Sequence, residues 1–170
     1  EVATTGVVAT LKVAPGPTIA LRADMDALPI TEATDVDYKS QNEGVMHACG
    51  HDGHTAILLA TAKVLTKFKD HLAGTIKFIF QPAEEGPGGA KPLIEAGVLT
   101  DPEVDNIFGL HINNQLPTGT IGVQKSAVSA AADEINLKVI GESGHASTPQ
   151  RGIDAIYTAG EIVTSLQSVI

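Results

Sequence analysis

His47-Ala48-Cys49-Gly50-His51-Asp52-Gly53-His54 runs straight into Thr55-Ala56-Ile57-Leu58-Leu59-Ala60-Thr61-Ala62-Lys63-Val64-Leu65-Thr66-Lys67-Phe68-Lys69. The first stretch carries three of the chain's six histidines, its single cysteine and an aspartate. Imidazole, thiolate and carboxylate are the side chains that bind metal ions. Two glycines predict a tight backbone rather than a regular helix. The second stretch sets Ile57, Leu58, Ala62, Leu65 and Phe68 at helical spacing, with Lys63, Lys67 and Lys69 as a polar surface and basic end. A helix is predicted over Thr55–Lys69, entered through a loop that presents polar side chains. A solvated His-rich loop with a buried cysteine is the competing reading.

Working outward, Thr5–Val13 and Thr18–Arg22 read as strands, and the short Pro15-Gly16-Pro17 connection predicts that they form a hairpin. The second strand runs into Ala23-Asp24-Met25-Asp26-Ala27-Leu28-Pro29. Carboxylates at a strand's C-terminal end sit where open α/β sheets place ligands, although an Asx-type turn uses the same residues. Thr31–Gly44 is polar and without period, so it reads as a loop. Past Gly74, Thr75–Phe80 is a β-prone strand that ends in Gln81-Pro82-Ala83-Glu84-Glu85-Gly86-Pro87-Gly88-Gly89. Ala90–Ala96 reads as a short helix capped by Gly97. Asp105–Ile112 reads as a strand with His111 near its end, and Gly119–Gln124 as a short strand. The small residues of Ser126–Ala132 suggest a linker or crossover. Asp133–Ile140 alternates like a half-buried strand, and Gly152–Ile170 reads as a helix with Ile153, Ile156, Tyr157, Val163 and Leu166 on its apolar face.

Composition narrows the function classes. The 170 residues are 43% hydrophobic and 18% charged, enough for a globular core. Net charge is −9 and no basic patch interleaves with aromatics, which argues against nucleic acid. No apolar run is long enough for a membrane span. A single cysteine excludes an internal disulfide framework. A free thiol beside histidines suits a reducing compartment, so the expected localisation is cytoplasmic.

Three strand ends thus deliver candidate ligands: Cys49 with His51, Glu84 with Glu85, and His111. Side chains at consecutive positions of an extended or turning backbone point apart. One carboxylate of an adjacent pair can bind a metal while the other faces substrate. Metal coordination lowers the pKa of water to roughly 7, and a nearby carboxylate serves as general base. A solvated charged turn is the plainer reading of Glu84-Glu85. His47 and His54 either orient ligands through hydrogen bonds or serve packing and surface roles. A Cys49 nucleophile with a His base is open on residue types alone. HExxH and CxxC are both absent, which excludes a zincin and a zinc ribbon.

The ordered set LRADMDALPI, HACGHDGH, PAEEG, GLH and GESGHAS resembles the metal-dependent amidohydrolase and peptidase family of aminoacylases, hippurate hydrolases, N-acetyldiaminopimelate deacetylases and plant indoleacetyl-amino-acid hydrolases. The resemblance implies an α/β fold: a zinc-peptidase-like catalytic domain with a mixed central sheet flanked by helices, and the start of a small α/β, ferredoxin-like lid and dimerisation domain. It implies catalytic residues 1–125 and lid residues 126–170. It implies Cys49, His51, Glu85 and His111 as metal ligands, Glu84 as the general base, Asp26 as a supporting catalytic residue and His145 as a substrate-binding residue reaching across a dimer. Two divalent ions per site follow, Zn or Mn, with Co or Ni as further options. The implied reaction is hydrolysis of the amide bond of N-acyl amino acids. Dipeptidase or aminopeptidase activity and a catalytically silent metal-binding domain are the alternatives. Two departures stand out. Asp24 occupies a position where broader relatives carry a ligand His, and Gln150 one where many carry His. The family's further downstream ligand His is not in the chain, which therefore reads as an N-terminal portion of a longer enzyme.

Overall fold

The computed structural model describes residues 1–86, 88–128 and 134–169. It divides into two compact units, Glu1–Ile121 and Gly122–Ile170. The first unit holds a four-stranded mixed sheet of β1 (Val7–Lys12), β2 (Thr18–Asp24), β3 (Thr75–Gln81) and β4 (Asn106–Gly109) in the order β1-β3-β2-β4. β1 runs antiparallel to β3, pairing Val7 with Phe80 and Lys12 with Thr75. β2 runs parallel to both β3 and β4, pairing Ala20 with Lys77 and with Ile107.

The expected β1–β2 hairpin does not form. β3 lies between those strands because it is β-prone along its length and has no exposed residue, as suits a central strand of a sheet covered on both faces. The chain closes tightly at that point. Gly74 accepts from the Val13 amide at 3.1 Å, and the Thr75 amide donates to Pro17 at 2.9 Å. Between β2 and β3 the chain crosses over through α1 (His51–Lys67). Leu58, Ala62 and Leu65 of α1 pack with Ala23 and Phe78 on one face of the sheet. On the other face, Leu93 of α2 (Ala90–Glu95) and Val98 pack on Ala20 and Ile79.

Helix α1 starts at His51, earlier than the predicted Thr55. Gly50 takes φ 85°, a left-handed conformation that favours glycine, and its carbonyl accepts the His54 amide at 3.2 Å. The first turn is polar, with His51 and His54 buried and Asp52 exposed. Helix α2 ends in a Schellman motif, as Gly97 in the sequence suggests: its amide donates to Ile94 and that of Val98 to Leu93.

β4 stops at Gly109, so His111 lies beyond the strand rather than within it. No strand forms over Gly119–Gln124. In the second unit, Asp133 lies outside the described residues, and 134–140 are not a strand. Ile135, Leu137 and Ile140 are exposed. An alternating stretch becomes a strand only with a neighbour to pair with, and among the described residues this unit offers a single bridge between Glu142 and Ile153. Of the expected linker, 126–128 is exposed and irregular, and 129–132 lie outside the described residues. The last helix is α3 (Ala155–Leu166), shorter than Gly152–Ile170, whose final residue is also outside the described set. The Asp154 carboxylate caps it, accepting from the Ile156 and Tyr157 amides at 3.0 Å each. Its expected apolar face is exposed in this unit. Among the described residues no helix is long and apolar enough to cross a membrane.

Lys77 is buried on the α2 side of β3. Its Nζ donates to the carbonyls of Val98 at 2.5 Å, Asp101 at 2.7 Å and Pro102 at 3.3 Å. This clamp fixes the turn after α2 to the sheet. Lys77→Met leaves those acceptors without a donor and is expected to lower stability by about 1–3 kcal/mol in urea unfolding. An unchanged midpoint would contradict the clamp.

Candidate metal centre

The C-terminal ends of the parallel strands β2, β3 and β4 lie along one edge of the sheet. Asp24 ends β2 and Asp26 follows it, Glu84 and Glu85 follow β3, and His111 follows β4. The crossover helix α1 brings Cys49 and His51 to that edge at its N-terminal end.

Asp26 is the hub. Its carbonyl accepts from His51 Nδ1 at 3.0 Å and from His47 Nδ1 at 3.1 Å. One carboxylate oxygen lies 3.2 Å from His51 Nδ1, and the other accepts the Glu85 amide at 2.9 Å. Burial pushes this carboxyl up, but hydrogen bonds from the Glu85 and Glu84 backbone outweigh it and hold the pKa below the ordinary value. A carbonyl oxygen only accepts, so Nδ1 of His51 carries the hydrogen and Nε2 the lone pair. Among the described residues, this Nε2 is the one buried side-chain nitrogen or oxygen without a hydrogen-bond partner. It faces Glu85 at 3.8 Å, Asp24 at 3.8 Å and Glu84 at 3.9 Å.

A second pair sits beside it. Cys49 Sγ lies 3.4 Å from His111 Nε2, and His111 Nδ1 donates to the Ile112 carbonyl at 2.8 Å. Again Nδ1 is committed to an oxygen and Nε2 is free to bind. The Cys49 thiol is pushed up to about 11 by its hydrogen bond to Glu85, by burial, and by the charges of Glu85, Glu84 and Asp24. The donors therefore gather negative charge around an unpartnered lone pair, an arrangement that a divalent cation completes.

The donor atoms of Cys49, His51 and His111 lie within 4.8 Å of one another, as do those of His51, Glu84 and Glu85. Zinc bonds of about 2.3 Å to sulfur and 2.0–2.1 Å to nitrogen set tetrahedral S and N donors roughly 3.5 Å apart. The Cys49–His111 separation fits that value. The residues present therefore fit a metal centre.

The Glu84-Glu85 turn is shaped locally. Ala83 takes φ 54°, and the Gly89 amide donates to the Ala83 carbonyl at 2.8 Å. A Cβ at Gly89 would collide with the Pro82 backbone, so the loop closes only on glycine. A cleft of about 680 Å³ opens beside the turn, lined by Asp26 and Glu85 and by apolar groups that include Met25, Leu28 and Pro82.

His145 lies in the second unit, exposed. The Ser147 amide donates to its Nδ1 at 3.1 Å, which puts the ring hydrogen on Nε2. Sequence reasoning left the roles of Asp24, His47 and His54 open between site and packing. The structure ties His47 to the Asp26 carbonyl and buries Asp24 and His54 against each other. Burial raises the Asp24 carboxyl, but the His54 hydrogen bond and the Arg22 charge outweigh it and leave the pKa below the ordinary value. Aspartate and histidine at the same end of neighbouring elements were the available signal.

The raised thiol generates a prediction with a sign. At neutral pH Cys49 is protonated, so a divalent ion that binds its thiolate displaces a proton. Affinity is expected to rise with pH, by up to about tenfold per unit below the thiol pKa. Calorimetry in buffers of different ionisation enthalpy reads the released proton. Cys49→Ser is expected to remove it, and metal binding without proton release would exclude Cys49 as a ligand.

Comparison with known proteins shows the family. The chain is 48% identical over 167 residues to N-acetylcysteine deacetylase of Bacillus subtilis, covering 98% of this chain and 43% of the relative. It is 49% identical over 157 residues to thermostable carboxypeptidase 2 of Saccharolobus solfataricus, covering 91% of this chain and 39% of the relative. A crystal structure of a Bacillus subtilis protein described as a dinuclear metal binding peptidase from the M20 family superposes with a TM-score of 0.68 at 53% identity, covering 71% of this chain and 33% of that one. The chain thus spans about two-fifths of the length of these curated relatives. The model of peptidase family M20/M25/M40 matches residues 20–165, and the chain belongs to that family.

Proposed function

We propose that this chain supplies metal-binding residues of a hydrolase that cleaves the amide bond of N-acyl amino acids. The observation that carries the reading is the buried, unpartnered Nε2 of His51 facing the Glu84 and Glu85 carboxylates. Cys49, His51, Glu85 and His111 would hold two divalent ions. Zn suits the thiolate and Mn the carboxylates, with Co or Ni as further options. Bound there, the ions supply Lewis acidity that acidifies water and polarises the scissile carbonyl.

The chain's own residues divide the remaining work. Glu85 is the more enclosed of the two carboxylates, 28% exposed against 43% for Glu84, and its amide is tied to Asp26. Glu84 is left to face substrate. It takes a proton from the attacking water and returns it to the departing nitrogen, so that amide and water become carboxylate and amine. Asp26 orients His51 and the Glu85 backbone. The apolar cleft beside Glu85 receives the acyl group, and His145 of a second copy helps hold the substrate carboxylate or the oxyanion.

Residues 1–125 are assigned to the catalytic domain and 126–170 to the beginning of a lid through which two copies associate. The reducing environment that a free Cys49 needs points to the cytoplasm. The similarity to N-acetylcysteine deacetylase favours an N-acyl substrate. The similarity to thermostable carboxypeptidase 2 favours a peptide as the second reading.

Glu84→Gln keeps the shape of the side chain and removes its basicity. Hydrolysis of N-acetyl amino acids is expected to fall by about 10²–10⁴-fold with metal content retained. Undiminished hydrolysis would contradict the role of Glu84. The whole protein, binding metal yet hydrolysing neither N-acyl amino acids nor dipeptides, would identify a silent metal-binding domain.

A further inference from the structure

His54 is 1% exposed, in the first turn of α1, and both of its nitrogens are engaged. The Ile112 amide donates to Nε2 at 2.9 Å. An amide nitrogen only donates, so Nε2 holds the lone pair and the ring hydrogen lies on Nδ1. That hydrogen goes to Asp24 Oδ1 at 2.5 Å. His54 therefore has no lone pair left for a metal, although its donor atoms lie within 4.8 Å of those of Asp24 and His51.

Asp24 is itself immobilised. Arg22 donates to its other oxygen at 2.7 Å and to Gln81 at 2.9 Å, and Thr55 donates to its carbonyl at 3.0 Å. A continuous chain of hydrogen bonds thus runs from β3 through β2 and α1 to the Ile112 peptide. Ile112 also lies close over Gly50 and Gly53, so its side chain and its amide are seated on the same helix end. The same residue's carbonyl accepts from His111 Nδ1. His111 follows a strand that has already ended at Gly109, where ladder hydrogen bonds no longer hold the backbone.

We infer that His54, held by Asp24, is a positioning residue that anchors the Ile112 peptide and thereby aims the His111 imidazole at Cys49. The inference deepens the metal-centre reading and rests on it for the functional consequence. A ligand carried on a segment beyond its strand needs an anchor from a rigid element, because metal ligands tolerate little displacement. His54 provides that anchor from α1. Its burial, its tautomer and its carboxylate partner are all accounted for without making it a ligand.

The test begins on the unaltered metal-free protein. Nitrogen-15 NMR is expected to show His54 protonated on Nδ1, with unprotonated Nε2 coupled to the Ile112 amide. His54 protonated on Nε2 would overturn the inference, as would cadmium-113 coupling to a His54 nitrogen in loaded protein. Two variants then separate the halves of the link. His54→Gln can place a carbonyl oxygen near the Nε2 position and accept from Ile112. His54→Asn can donate to Asp24 but does not reach Ile112. In cobalt-loaded protein, the near-ultraviolet thiolate-to-cobalt band reports the Cys49–His111 ion. His54→Asn is expected to weaken that ion's binding by about 10–100-fold, with Gln restoring most of it at equal helical content. Equal binding in Asn and wild type would overturn the inference. A wild-type protein without the band would defeat the metal-centre reading instead, while the Ile112 amide coupling still decides the His54 link.

Discussion

A buried imidazole lone pair with no hydrogen to accept is the constraint on which the site depends. His51 Nε2 is sealed from water, its ring orientation is set by Asp26, and three carboxylates face it within 4 Å. A buried polar atom without a partner is unfavourable, and like charges crowded around it add to the cost. A divalent cation removes both penalties. The raised Cys49 thiol has the same origin, since the surrounding carboxylates oppose a further negative charge until a cation is present.

The sheet explains why these groups meet. β2, β3 and β4 are mutually parallel, so their C-terminal ends converge on one edge, the location at which open α/β sheets place ligands. The crossover between β2 and β3 adds the N-terminal end of α1 to the same edge. The apolar faces are closed separately, by α1 on one side and α2 on the other. The polar edge can therefore be arranged by hydrogen bonds among Asp24, Asp26, His51 and His54 without interrupting the core.

Much of this was legible in the sequence, and the failures have physical causes. Residue type, with position at strand ends for Glu84, Glu85 and His111 and at the helix entrance for Cys49 and His51, brought these residues out, because metal chemistry draws on few side chains. The helix after Thr55 was legible from its period. Its first turn was not, because hydrophobic periodicity is blind to buried histidines such as His51 and His54. The hairpin expectation followed from a short connection, but a buried β-prone strand 50 or more residues downstream took the place between β1 and β2. Alternation in Ile135, Leu137 and Val139 describes a surface without supplying a neighbouring strand. The partner of His54 was beyond reach, since it is an amide 58 residues away.

Elemental analysis of the 170-residue chain equilibrated with zinc or manganese, beside Cys49→Ser and His51→Ala, tests the central claim most directly. The expected result is bound divalent metal, up to two ions per chain, with less in both variants at unchanged fold. A chain that retains no metal, or one whose content is the same in all three proteins, would contradict a metal centre built on Cys49 and His51.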